Sequence, residues 1–228
     1  MNVRVFVTTC DRYLKYIRPF AYLFNLYWSS LQDVTVLGYK EPDFPLPPNF
    51  TFHSLGEDGG QEKWSDGVIL ALRRVEDELL VLLLEDYWLT RKADNAGVST
   101  LADYVYEHPD VLRLDLTTDR LYAGNMFDIE PYGHYDIIET PPGTPYQMSL
   151  QAGIWRRTKL LELLQPGKSP WQVELENSPP ERMRVLGTRQ NPVRYANVFQ
   201  GGDPDTLLNL DRIPGEHVEY MRGQGWLE

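Results

Sequence analysis

Leu79-Leu80-Val81-Leu82-Leu83-Leu84-Glu85-Asp86-Tyr87 is the stretch that decides the fold. Six apolar residues run without interruption and stop at two adjacent carboxylates. A short unbroken apolar run bounded by polar residues reads as a strand buried on both faces, as in a parallel sheet covered by helices. Open α/β sheets bind their ligands outside the carboxyl ends of such strands. The stretch therefore predicts a central strand that delivers Glu85 and Asp86 to the rim of a cleft. Two carboxylates there suit a hard divalent cation, which can in turn hold a phosphate. The plainer alternative is that they polarise a strand end or cap the next turn.

Working outward, the flanks read as alternating strands and helices. Residues 3–7 alternate and lead into Thr8-Thr9-Cys10-Asp11-Arg12, a polar exit loop. Residues 13–31 carry apolar side chains at roughly helical spacing, interrupted by Pro19, and residues 34–37 form a second strand. Parallel strands need such a crossover. A proline-rich loop follows, then a third short strand over residues 50–55. The helix before the central strand is expected to start at a cap on Ser65 or Asp66 and to run to about Glu78. Beyond it come a helix over residues 99–107, capped near Ser99 or Thr100, and an alternating strand over 111–116. Residues 117–144 are polar and irregular, with a short strand at 136–139. A last strand is expected over 146–154, then a helix from about Arg157 to Leu164, a short helix from Trp171 to Glu176, and an alternating stretch over 193–199. Gly201-Gly202 then turns into a polar C-terminus. The whole reads as an α/β fold, with parallel strands covered by helices. No clear interdomain linker interrupts it.

Composition bounds the function. With 228 residues, 42 % of them hydrophobic, the chain can bury a sizeable core. The net charge of −11 disfavours broad nucleic-acid binding, which relies on Lys and Arg neutralising phosphates, without excluding a local basic patch. The single cysteine, Cys10, excludes an intrachain disulfide and a Cys-type zinc site. No signal region opens the chain and no apolar run approaches the ~20 residues that span a bilayer, so the expected location is the cytoplasm. Neither G-x-x-x-x-G-K-[ST] nor G-x-G-x-x-G is present, and there is no H-E-x-x-H and no G-x-S-x-G. The four histidines, His53, His108, His134 and His217, are scattered. What remains is a set of carboxylates at element ends: Asp11, Asp66, Glu85, Asp86, Glu174 and Glu176. If the first and central strands are parallel, Asp11, Glu85 and Asp86 face one cleft. A cleft rich in acceptors suits a metal, or the hydroxyls of a sugar or ribose.

The chain resembles the GT-A type of nucleotide-sugar-dependent glycosyltransferase, in a small bacterial or phage-like form. The matching pieces are Val5-Phe6-Val7-Thr8-Thr9-Cys10-Asp11-Arg12-Tyr13, Trp64-Ser65-Asp66 leading into Leu82-Leu83-Leu84-Glu85-Asp86-Tyr87, and Ser149-Leu150-Gln151-Ala152-Gly153-Ile154-Trp155-Arg156-Arg157 followed by Ser169-Pro170-Trp171-Gln172-Val173-Glu174. They span roughly residues 3–176; their order and spacing carry the likeness, since no single motif is specific.

The resemblance implies one domain over 1–228 built on a Rossmann-type mixed, mostly parallel sheet flanked by helices, with a nucleotide-binding half at about 1–116 and an acceptor half at about 117–228. It further implies a transferase that moves a sugar from a nucleoside diphosphate to a hydroxyl acceptor. It implies Thr8, Thr9, Asp11, Arg12 and Asp66 near the nucleotide, and Glu85 and Asp86 as ligands of Mn²⁺ or Mg²⁺. The family's usual D-x-D is replaced here by Glu85-Asp86-Tyr87. Neighbouring strand residues point to opposite faces, so both carboxylates reach one ion only if the strand breaks at Glu85. Glu174 is the positional match for a general base, or else a surface or capping glutamate. Gln151 and Trp171 would meet the donor sugar or acceptor. Trp155 would stack on a sugar or fill the core, and Arg156 and Arg157 would contact phosphate or remain surface charge. The alternatives are a nucleotidyltransferase, which would usually carry a glycine-rich loop after the first strand, and a non-catalytic nucleotide-sugar-binding module of the same fold.

Overall fold

The computed structural model describes residues 3–199 and 208–227. In chain order the elements are β1 (Arg4–Thr8), α1 (Ile17–Phe24), β2 (Val34–Gly38), β3 (Phe50–Ser54), α2 (Trp64–Arg74), β4 (Leu79–Leu84), β5 (Tyr87–Leu89) and α3 (Asn95–Glu107). They continue with β6 (Val111–Asp115), α4 (Asp119–Tyr122), β7 (Phe127–Tyr132), β8 (Tyr135–Glu139), β9 (Gly153–Arg156), α5 (Arg157–Leu163), α6 (Pro170–Glu176), β10 (Arg184–Thr188), β11 (Tyr195–Asn197) and α7 (Gly215–Gly223). Nine strands form one sheet in the order β3-β2-β1-β4-β9-β6-β10-β8-β7, and β5 pairs with β11 in a separate ribbon. The sheet is parallel from β3 to β4, and β9 enters antiparallel between β4 and β6.

β4 explains why its sequence is apolar throughout. Leu79, Val81 and Leu83 feed the core on one face of the sheet, with Ile17, Phe20 and Phe24 of α1, Leu101 and Val105 of α3, and Met221 of α7. Leu80 and Leu82 feed the core on the other face, with Val68 and Leu72 of α2, Leu160 of α5 and Val173 of α6. Every residue of the strand except Leu84 is buried. Burying each such side chain contributes about 1.5–3 kcal/mol. A polar residue in the run would face apolar packing whichever way it pointed. Next to β4, Gly153 lies in β9 because a Cβ there would sit 3.0 Å from Arg113 Nε and 3.2 Å from the Leu114 carbonyl oxygen.

Several sequence expectations need correction. The first helix is short: a 3₁₀ turn (Leu14–Tyr16) precedes α1 and a π-helical turn (Asn25–Ser29) follows it, with Pro19 harmless in the first turn of α1. α2 ends at Arg74, short of Glu78, and neither Ser65 nor Asp66 caps it. Instead the Ser65 hydroxyl donates to the Gln165 carbonyl (2.7 Å). α3 begins four residues early because the Asp94 carboxylate accepts the Gly97 amide proton (2.9 Å). Residues 146–152 do not form a strand, since Tyr146 adopts a left-handed φ of 57° and starts a turn. β5, β7, β10 and α7 lie in segments where apolar spacing is weak, and the sequence reading assigned none of them. The Gly201-Gly202 turn lies outside the described residues. Among the described residues, no helix is long and apolar enough to cross a membrane.

Candidate active site

β1 and β4 are adjacent and parallel, with Thr8 opposite Leu84, so their carboxyl ends finish level. β4 stops at Leu84, Glu85 and Asp86 make a two-residue turn, and the chain re-enters extended structure at Tyr87. This break releases the two carboxylates from the strict alternation of a strand. Both line a cavity of about 640 Å³ at the sheet edge. The turn is fixed from behind: Trp88 Nε1 donates to the Glu85 carbonyl (3.0 Å), and the Val198 amide donates to the Asp86 carbonyl (3.0 Å). The β5–β11 ribbon thus clamps the turn and brings Asn197 and Phe199 to the cavity wall.

The cavity holds three carboxylates in partial isolation from water. Burial raises Glu85 well above the usual carboxylate range, and the neighbouring Asp86 raises it further. Burial likewise pushes Asp86 up to about 7, with the negative charge of Glu174 adding to the effect. Asp86 Oδ1 is buried and has no hydrogen-bond partner among the described residues. Glu174, on α6, is raised by burial but held back by the Leu150 amide, which donates to its Oε1 (2.6 Å), and by the positive charge of Arg113. The Cys10 thiol beside them is pushed up to about 11 by burial and the nearby Glu85 carboxylate, which keeps it a thiol.

α6 owes its position to its start. Ser169 Oγ accepts the Gln172 amide (3.3 Å) while the Gln172 side chain accepts the Ser169 amide (3.0 Å), a reciprocal capping box with Pro170 at the first helical position. The first turn and a half of this helix brings Pro170, Trp171 and Glu174 to the cavity.

Of the residues singled out from the sequence, Thr8, Thr9, Arg12, Glu85, Asp86, Gln151, Trp171 and Glu174 line this one cavity. Asp11 and Asp66 do not. The Asp11 carboxylate accepts the Lys40 amide (2.9 Å) and the Asp66 carboxylate accepts the Gly167 amide (2.8 Å), so each ties two loops together. Trp155 lies wholly buried in β9 with the Arg113 guanidinium over its ring (4.9 Å), in the core rather than at a sugar. Arg156 and Arg157 sit at the opposite end of the sheet from the carboxylates, Arg156 level with Leu79. Arg156 donates to the carbonyls of Val111, Val105 and His108, and Arg157 to those of Asp77 and Leu72. The sequence reading missed Tyr39, Asp58, Gly60, Gln61, Trp64, Asn197 and Phe199 as lining residues. Trp64 stands in the quoted Trp64-Ser65-Asp66, and Asn197 and Phe199 stand in the alternating stretch over 193–199; Trp64 Nε1 donates to Thr8 Oγ1 (3.4 Å).

No protein-family model matches the sequence, and no curated protein does. Solved structures do match. S. aureus TarS 1–349 in complex with UDP-GlcNAc superposes with a TM-score of 0.50 at 15 % identity, covering 88 % of this chain and 60 % of that one. The fold is of the GT-A type. This chain thus spans about three fifths of the length of the TarS fragment. A CMP:2-keto-3-deoxy-manno-octonic acid synthetase complexed with CTP (TM-score 0.41, 12 % identity, 99 % of this chain and 100 % of that one) and a UDP-glucose pyrophosphorylase (0.45, 6 %, 98 % and 100 %) are more distant likenesses. In the GT-A frame, the antiparallel β9 wedged between β4 and β6 brings Gln151 to the same edge as Glu85 and Asp86.

Proposed function

We propose that this chain transfers a sugar from a nucleoside-diphosphate sugar to a hydroxyl acceptor. The observation that carries the reading is the juxtaposition of Glu85, Asp86 with its unpartnered buried oxygen, and Glu174 in one cavity at the carboxyl edge of the sheet. A cavity of about 640 Å³ falls within the roughly 300–1,000 Å³ of small-molecule sites. The TarS structure of the same fold holds UDP-GlcNAc.

The end of β1 and the loop after it, with Thr8, Thr9 and Arg12, together with Trp64 form the wall suited to a nucleotide: hydroxyls and a guanidinium for phosphate and ribose oxygens, an aromatic face for a base. Gln151 and Trp171 line the part of the wall next to Glu174 and would orient the sugar. Glu174, its carboxyl raised above the usual range yet steadied by the Leu150 amide, would take the proton from the attacking hydroxyl if the anomeric centre inverts.

Among the described residues no group of three or more His, Cys, Asp or Glu side chains is arranged as a ready-made metal site. Glu85 and Asp86 nevertheless fit Mn²⁺ or Mg²⁺, because hard cations of this kind take one or two carboxylates and complete their shell with substrate phosphate and water. The unpartnered Asp86 Oδ1 is such a donor. Held there, the ion would supply charge neutralisation for the leaving diphosphate.

The reading is tested by the melting-temperature shift with UDP-GlcNAc, UDP-glucose and GDP-mannose, each with Mn²⁺, and by the small product released. Nucleoside diphosphate indicates glycosyl transfer, whereas pyrophosphate from a nucleoside triphosphate and a sugar phosphate indicates the nucleotidyltransferase alternative. No shift with any donor, unaltered in Glu85→Ala and Asp86→Ala, would overturn the reading.

A further inference from the structure

A second cavity, of about 370 Å³, opens beside α4 and is lined by Thr118, Asp119, Arg120, Tyr122 and Tyr146 among others. Its rims are two tyrosines with rings bared to solvent, Tyr122 at 79 % and Tyr146 at 54 % exposure. Tyr146 is held there in a left-handed backbone conformation (φ 57°), which is strained for an aromatic residue. Its carbonyl accepts a hydrogen bond from Arg120 Nη2 at 2.6 Å.

The floor of this cavity is joined to the floor of the first. Arg120, 1 % exposed, donates through Nε to Asp115 (3.1 Å). Asp115 pairs on its other side with the buried Arg113, and Arg113 Nη2 donates to the Gln151 carbonyl (3.0 Å). Gln151 lines the candidate donor cavity. A buried Arg–Asp–Arg chain thus fixes one cavity against the other, and the Asp119 charge reaches Glu174 across the gap.

We infer that this second cavity binds a neutral, hydroxyl-rich saccharide as the acceptor. Exposed tyrosine rings offer flat apolar faces for the C–H side of a sugar, and a carboxylate accepts from its hydroxyls. A phosphorylated acceptor is disfavoured because the guanidinium in the wall is already committed. The guanidinium of Arg120 is already engaged at Nε with Asp115, at Nη1 with Thr140 and at Nη2 with Asp119 and the Tyr146 carbonyl. Beside it the Asp119 carboxylate borders the cavity and gives one oxygen, Oδ2, to Arg120 (3.3 Å). The role as acceptor site rests on the transferase reading; saccharide binding itself does not.

Saturation-transfer NMR tests it, with methyl glycosides of glucose, galactose and N-acetylglucosamine, maltotriose, chitotriose and glucose 6-phosphate as probes, against wild type, Tyr122→Ala and Asp119→Asn. At least one neutral probe is expected to bind wild type and to weaken tenfold or more in both variants, while the UDP-induced melting shift stays unchanged. The inference is overturned if no neutral probe binds, if the variants bind as wild type does, if UDP-GlcNAc displaces the probe from the site, or if glucose 6-phosphate binds tighter than the neutral glucoside. Probe binding without any UDP shift would sink the transferase reading and leave the saccharide site standing.

Discussion

Asp86 shows how one residue can be unfavourable for folding and yet suit the proposed chemistry. Its carboxyl, ordinarily near 3.8, is pushed to about 7 because burial penalises the charged form. A group whose folded value lies above its unfolded one contributes stability that is whole below the unfolded value and is lost as pH rises through the folded one. Asp86→Asn should therefore melt with wild type at pH 4 and above it at pH 8, by about 10 °C, since a shift of about three pH units is about 4 kcal/mol and 1 kcal/mol moves a chain of this size by about 2–4 °C. Thermal melts in EDTA across that range check the sign; a variant less stable than wild type at pH 8 refutes the account. Glu174→Gln keeps the size of the side chain but removes the proton acceptor. It should lower turnover by about 10²–10⁴ while leaving the UDP-induced shift intact, as a comparison of initial rates and melts would read out. Neither effect was legible in sequence. Glu85-Asp86 was visible as a pair, but the burial that shifts both groups comes from residues far along the chain, Asn197, Phe199 and Trp171 among them.

At the scale of elements, α6 is the part whose local sequence decides most. Ser169-Pro170-Trp171-Gln172 holds a complete start signal, and the seven-residue helix it opens carries both Trp171 and Glu174. Ser169→Ala removes one half of the capping box and should cost about 1 kcal/mol. Because the helix aims the candidate base, turnover should fall several-fold while the nucleotide-induced shift persists; paired melts and rates separate that from simple destabilisation. The break between β4 and β5 has the opposite origin. Nothing in Leu84-Glu85-Asp86-Tyr87 forces a turn there. The ribbon partner does, since β11 pairs with Tyr87–Leu89 and the Val198 amide takes the Asp86 carbonyl. β11 lies over a hundred residues downstream of the turn it fixes.

Across the whole molecule, the sheet collects walls of one cavity from the exit of β1, the end of β4, the segment before β9, α6 and β11. α7 closes the far side of α1, where His217 joins Tyr22 (3.0 Å) and Tyr27 (2.9 Å) through its two ring nitrogens. A ligand that touches so many elements stabilises all of them at once. UDP with Mn²⁺ at 100 times its Kd should add about 2.7 kcal/mol, roughly 5–11 °C for a chain of this size. With Mn²⁺ replaced by EDTA the shift should shrink in wild type and stay as it is in Asp86→Ala. Differential scanning fluorimetry decides it, and an EDTA-insensitive wild type would remove the metal from the proposal.

The sequence alone determined the layered architecture, because a six-residue apolar strand has to be covered on both faces and its neighbours alternate strand with helix. It also singled out Glu85, Asp86 and Glu174, because each stands at or beside the end of an element, while Gln151 and Trp171 came from the resemblance. Tertiary structure decided the rest. It sent Trp155 into the core, turned Asp11 and Asp66 to loop amides, and set Arg156 and Arg157 at the other end of the sheet. It also brought Asn197 and Phe199 to the carboxylates. The physical reason is range. Periodicity records how a residue relates to its own element, whereas burial, charge environment and hydrogen-bond partners come from segments that meet only when the sheet assembles.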